Sequence, residues 1–223
     1  MLSYMKDHID QTAMIIWLLI YWTISIKSNL NIGIRHLMPA YPFMIILISG
    51  QASLILEKLK QRSRKSHMCF TVLVVALVGW YVTENIRVFP SYLAYFNQIA
   101  GGSDNGYRYV ADSNLDWGQD LERLSTWVKE NNIPKIEVDY FGWADPVYYL
   151  RDRYIGLSNT KYLSREDFLS RNQTDGWIAV SATFLQQAEG PTDKPNLINY
   201  SWIRSYTPIT TIGYSIFIYR IIQ

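Results

Sequence analysis

The side chains best placed for chemistry fall in one polar stretch, Asp112-Ser113-Asn114-Leu115-Asp116-Trp117-Gly118-Gln119. Asp112, Asn114 and Asp116 have the one, three, five spacing that opens a calcium loop, but Trp117 stands where the sharp turn needs glycine. Arg123 stands where a bidentate glutamate should close the loop, so the calcium pattern fails. Two roles remain open for these side chains: loop and helix capping, or contact with a polar ligand. A second polar loop, Gly142-Trp143-Ala144-Asp145-Pro146, has the same character. The three histidines, His8, His36 and His67, all lie in the first third of the chain. Acid–base work in the remainder would therefore fall to carboxylates or tyrosines. No ligand set in the sequence calls for a divalent metal, and no cofactor is evident. One further pair, Arg35-His36, has two readings. It is either an interfacial anchor that snorkels into headgroups or a clamp on an anionic head, since guanidinium and imidazolium match phosphate oxygens.

These residues sit in a chain of two characters. Of 21 Lys+Arg and 19 Asp+Glu, residues 1–100 hold nine and four, a net +5, and residues 101–223 carry a net −3. Three stretches in the first part, 11–26, 37–56 and 66–83, lack charge for nearly the length that roughly 20 apolar residues need to cross a bilayer. They predict spans at about 11–27, 37–56 and 67–86. The residues Lys58, Lys60, Arg62, Arg64 and Lys65 crowd the connector between the second and third spans. Such a basic connector is kept on the cytoplasmic side, which also places the N-terminus inside and residues 89–223 outside. Read this way, the basic run is a topology signal, and nucleic-acid binding is not expected. With Cys69 as the single cysteine, no intrachain disulfide forms.

Beyond the spans, Phe89, Tyr92, Leu93, Phe96 and Ile99 recur at helical spacing before Gly101-Gly102, which predicts an interfacial helix over 89–102. Residues 103–223 predict a small extracytoplasmic α/β domain with a mostly parallel sheet. Its strands are expected at 107–111, 135–141, 177–181 and 214–221. A helix is expected over 117–131, opened by a capping box between Asp116 and Gln119, and another starts at Pro146. Strand, helix, strand over residues 107–141 reads as a right-handed crossover, with both polar loops leaving the carboxyl ends of parallel strands, where open α/β sheets bind ligands. Residues 190–195 read as a loop, and Asn172-Gln173-Thr174 and Asn199-Tyr200-Ser201 have the form of glycosylation acceptors.

Four strings together resemble the C-terminal part of the phospholipid-carrier-dependent membrane glycosyltransferases, family 39-like enzymes of the GT-C class. They are Asn31-Ile32-Gly33-Ile34-Arg35-His36-Leu37-Met38-Pro39 with Tyr41-Pro42-Phe43; Tyr92-Leu93-Ala94-Tyr95-Phe96-Asn97 with Ala100-Gly101-Gly102; Asp112 through Leu121; and Phe141-Gly142 with Asp145-Pro146. The resemblance covers roughly residues 10–155 and implies transfer of a sugar from a polyprenyl-phosphate carrier to an extracytoplasmic acceptor. By that likeness Arg35 and His36 would bind the lipid phosphate. Asp112, Asn114, Asp116, Trp117, Gln119 and Asp145 would face the sugar or acceptor. The family carries more spans and an acidic first outer loop that holds its catalytic acid. The expectation is therefore a C-terminal portion that works with an upstream polypeptide, or else a non-catalytic membrane-anchored module that binds a sugar or a partner.

Overall fold

In the computed structural model the described residues are 8–28, 33–158, 160–172, 176–187, 200–203 and 206–222. The loop expected at 190–195 lies outside them, as do Asn31, Ile32, Gln173, Thr174 and Asn199 of the strings named above. The chain forms two compact units, Met1–Arg87 and Val88–Gln223.

The first unit is helical. Helices α1 (Ile9–Lys27), α2 (Tyr41–Arg62) and α3 (Arg64–Val88) are each long and apolar enough to cross a membrane. Their apolar side chains, such as Ile24, Ile48 and Val75, are exposed rather than gathered into a core. Helices apolar all round, with backbone groups satisfied within the helix, suit hydrocarbon as solvent. Pro42 opens α2, where a missing amide is harmless. Trp17 of α1 stacks on Tyr21 and packs against Phe43 of α2, with ring centroids 4.9 and 4.6 Å away. The basic connector is not a loop: Lys58, Lys60 and Arg62 belong to the end of α2, and Arg64 and Lys65 begin α3, with Ser63 alone between them.

In the second unit the expected interfacial helix is replaced by two short 3-10 turns, Tyr92–Ala94 and Gln98–Ala100, and Gly101 stops the second at φ +82°. Five strands follow: β1 (Ile136–Asp139), β2 (Tyr154–Gly156), β3 (Gly176–Ser181), β4 (Thr210–Ile212) and β5 (Ile216–Ile221), in the order β2-β1-β3-β5-β4. β1 is parallel to β2 and β3, whereas β5 is antiparallel to β3 and β4. The sheet is thus mixed, not mostly parallel. The antiparallel half follows from the 213–215 turn. Gly213 and Tyr214 both take positive φ, as a type I′ turn requires, and fold β4 back on β5.

The strand expected at 107–111 does not form. Ser103–Arg108 is a 3-10 helix whose Tyr107 ring packs edge-on against Phe217 of β5 at 4.6 Å, so this segment covers a sheet face instead of extending an edge. The crossover expected from 107 to 141 is therefore absent, and the parallel neighbours of β1 come from later in the chain.

Helices α4 (Leu121–Glu130) and α5 (Pro146–Leu150) cover one face; α6 (Arg165–Asn172) and α7 (Ala182–Gln187) complete the unit. α4 buries Leu121, Leu124 and Val128 in a cluster with Ile136, Val138, Ala179, Ile216 and Ile218. The intervening strand residues Ile178, Val180, Phe217 and Tyr219 enter a second cluster with Phe168 and Tyr200. This is the period-2 alternation of a sheet covered on both sides. On this side Glu137 is buried and Asp139 half-buried. Glu137 accepts from Tyr162 Oη at 2.7 Å and Lys161 Nζ at 2.8 Å, and Asp139 accepts from Tyr200 Oη at 2.5 Å. Burial pushes the Asp139 carboxyl above its ordinary range, and the Tyr200 hydroxyl opposes that shift.

Candidate functional site

The polar loop 112–118 reaches the carboxyl edge of β1 and β3 by side-chain ties. Asp112 N–H donates to Thr183 Oγ1 at 2.9 Å, just beyond β3. Phe141 N–H, just beyond β1, donates to Ser181 Oγ at 2.9 Å. Tyr140 Oη donates to the Gly118 carbonyl at 2.6 Å, locking the loop over the strand end. Gly118, at φ +77°, and Gly142 approach so closely that a Cβ on either would lie 2.8 Å from the other's Cα, with the Tyr140 hydroxyl nearer still. Glycine is required at both places. Asp112 itself holds a φ of +55°, and its Oδ1 accepts from Ser113 N–H at 2.5 Å.

The result is a cavity of about 370 Å³ lined by Asp112, Ser113, Asp116, Trp117, Tyr140, Phe141, Gly142, Trp143 and Phe184. Phe141 and Phe184 meet edge-on at 5.9 Å. The Trp117 indole is held by its Nε1–H donating to the Ser113 carbonyl at 2.8 Å, yet 56% of the residue remains exposed. Trp143 is fully exposed. Asp116 is the opposite, with 1% exposure. Its Oδ1 accepts from Gly118 N–H at 2.8 Å, while Oδ2 is buried with no geometric hydrogen-bond partner among the described residues. Desolvation, aided by the charges of Asp120 and Asp112, pushes the Asp116 carboxyl up to about 7. The Gly118 amide holds it from going higher, as does the nearby Ser181 hydroxyl, which makes no hydrogen bond to Oδ2 by distance and angle.

Behind Asp116 lies Asp120, also buried. It accepts from Ser215 Oγ at 2.7 Å, Arg123 Nη1 at 2.8 Å and Gln119 Nε2 at 3.2 Å. A Cβ on Gly213 would strike its carboxyl at 2.1 Å. Burial raises the Asp120 carboxyl, and Ser215 and Arg123 counter the shift. This cluster fastens α4 to the turn between β4 and β5.

Of the residues singled out from sequence, the cavity gathers Asp112, Asp116 and Trp117. Asn114 and Gln119 are outside its lining. The capping box is not formed: α4 begins at Leu121, and Gln119 Oε1 instead accepts from Trp117 N–H at 2.8 Å. Asp145 is the N-cap of α5, its Oδ1 accepting from Val147 N–H at 2.9 Å, and is likewise outside the lining. Arg35 and His36 belong to the helical unit, exposed in a 3-10 turn (Gly33–His36) whose last carbonyl accepts from Tyr21 Oη. Tyr140, Trp143 and Phe184 were missed as site residues. A sequence signal existed for Tyr140 and Trp143, which flank the end of a recognisable strand. Phe184 becomes a neighbour only because β3, not residues 107–111, lies beside β1. Among the described residues no group of three or more His, Cys, Asp or Glu side chains could hold a metal ion.

A second cavity, of about 390 Å³, opens at the amino-terminal end of β1 and β3. Its carboxylate, Glu137, is already held by Lys161 and Tyr162. Asp116 Oδ2, a buried acceptor without a hydrogen-bond partner among the described residues, is at the carboxyl edge instead. Comparison with models of known protein families, with curated proteins and with solved structures finds no match for the chain.

Proposed function

We propose that the chain serves in a membrane glycosyltransferase that moves a sugar from a polyprenyl-phosphate carrier to an acceptor, with the carboxyl-edge cavity holding the sugar or acceptor. The observation that carries this reading is the cavity itself, where exposed indoles of Trp117 and Trp143 accompany a buried carboxyl with an unmet oxygen. Indole faces pack on the apolar faces of sugar rings, and carboxyl oxygens accept from ring hydroxyls. Three helices able to span a membrane supply the setting a lipid-linked donor requires. In this reading the second unit is extracytoplasmic and the N-terminus cytoplasmic, following the basic run at 58–65.

Transfer breaks the bond between the anomeric carbon and a phosphate oxygen, so negative charge grows on the phosphate. A cation at the membrane surface stabilises that charge, the role proposed for Arg35 with His36. Asp112, Asp116 and Trp117 are assigned to binding, not to base catalysis. The test is transfer from labelled polyprenyl-phosphate sugar in membranes containing this chain, alone and with a co-expressed polypeptide bearing further spans and an acidic loop. Transfer that requires this chain and falls with Arg35→Ala supports the reading. Absence of transfer in every combination, with sugar binding intact, would replace it with a non-catalytic sugar-binding module.

A further inference from the structure

The carboxyl-edge cavity is unevenly equipped, and the imbalance points to which part of a glycosyl phosphate it can accept. Its polar lining is acidic: Asp112 and Asp116 contribute carboxyls, and among the described residues no lysine, arginine or histidine lines it. Arg123, the cation of the adjoining cluster, is engaged by Asp120 and Ser91 at 2.8 Å each. A phosphate brought here would meet carboxyls and aromatic rings without a counter-charge. A buried carboxyl oxygen without a partner, by contrast, calls for a hydrogen-bond donor, and Asp116 Oδ2 is such an oxygen. In the same lining, Trp117 is held at one edge by Ser113, and Trp143 is fully exposed. The cavity volume of about 370 Å³ lies within the range of small-molecule sites.

Resting on the sugar-binding role proposed above, we propose that this cavity takes the uncharged, hydroxyl-bearing ring of a glycoside and excludes its phosphate, with Asp116 Oδ2 accepting a ring hydroxyl between Trp117 and Trp143. The phosphate of a carrier-linked sugar must then be bound elsewhere. A ring hydroxyl donates better to the ionised carboxylate than to the acid. Asp116 is pushed up to about 7 by burial, with Asp112 and Asp120 raising it and the Gly118 amide and Ser181 hydroxyl lowering it. The Tyr140 hydroxyl, which also faces it, is raised above its ordinary value and stays neutral. Occupancy therefore rises with pH through the range in which Asp116 loses its proton.

The experiment is a binding titration of the full chain in lipid nanodiscs, followed by tryptophan fluorescence. The probes are a panel of methyl hexosides, hexose 1-phosphate and inorganic phosphate. At least one methyl hexoside is expected to bind about tenfold more tightly at pH 8 than at pH 6, the change in the ionised fraction of a group near 7. Phosphate should not compete, and hexose 1-phosphate should bind at least several-fold more weakly than the hexoside. Asp116→Asn should flatten the pH dependence. Trp143→Ala, at a fully exposed side chain, should weaken binding several-fold without moving the melting temperature. The proposal is overturned if inorganic phosphate or hexose 1-phosphate binds better than every hexoside. It is also overturned if no hexoside binds, or if both substitutions leave binding unchanged. Transfer activity that persists with any of these results would reject the cavity assignment and leave the transferase reading standing. Hexoside binding without transfer would do the reverse.

Discussion

Replacing Asp116 by Asn should stabilise the protein at alkaline pH while it damages the site. In the fold the carboxyl is buried and holds its proton up to about pH 7, whereas in the unfolded chain it ionises near 3.8. A raised acid contributes stability that is fully present below the unfolded value and is lost as pH rises through the folded one. The shift of roughly three pKa units corresponds to a penalty on the order of 4 kcal/mol at pH 8, at about 1.4 kcal/mol per unit. Asparagine removes the ionisation and can still accept from Gly118 N–H, but it leaves one amide atom unmet, which costs about 1–3 kcal/mol. The net gain at pH 8 is therefore about 1–3 kcal/mol, and it should vanish or change sign at pH 5. Thermal melting of both proteins in detergent at pH 5, 6, 7 and 8 measures it. Asp120 and Asp139 are raised as well, so only the difference between wild type and variant isolates Asp116. A variant destabilised by the same amount at every pH would refute the reasoning, since it would mean that Asp116 is ionised and well satisfied in the fold.

Three further perturbations follow from the geometry. Gly118→Ala should cost roughly 2–4 kcal/mol, from a side chain at φ +77° and a Cβ forced within 2.1 Å of the Tyr140 hydroxyl, and should appear as earlier denaturant unfolding of the second unit. Tyr200→Phe removes the hydroxyl that donates to Asp139, so it should destabilise by about 1–3 kcal/mol in the same assay, the loss growing with pH as the raised Asp139 carboxyl ionises. Arg35 is outside the cavity lining, so Arg35→Ala should leave hexoside binding unaffected while transfer from the lipid-linked donor falls at least tenfold; equal transfer would remove Arg35 from the mechanism.

The parts legible in the sequence are those set by local periodicity. The three apolar runs became helices, α1 and α3 within three residues of the expected ends and α2 running on through the basic residues to Arg62, because hydrophobic length decides that a helix forms but not where it stops. The strands at 136–139, 176–181 and 216–221 and the short helix at Pro146 also emerged from pattern and turn residues. What failed depends on distant partners. Residues 107–111 have strand-like composition, but Tyr107 gains more by covering Phe217 than by adding an edge. Direction within the sheet was misread for the same reason: strand polarity is fixed by connections, and the short β2 and β4 carry too little pattern to announce themselves. At the site, Asp112, Asp116 and Trp117 were found because they share a loop, whereas Phe184 joins them only through β3. Alternation alone would put Glu137 and Asp139 on a solvent face, yet Glu137 is buried and Asp139 half-buried, because tyrosine and lysine partners permit carboxylates to face a core.

The carboxyl-edge cavity is proposed to hold the sugar of a lipid-linked donor. The most direct measurement is photo-cross-linking in membranes with a polyprenyl-phosphate sugar that carries its photoreactive group on the ring, followed by peptide mapping. If the cavity holds the sugar, labelling falls within residues 112–117 or 140–147 and is suppressed by excess hexoside and by Asp116→Asn. Labelling confined to other parts of the chain, and unchanged by either treatment, would contradict it.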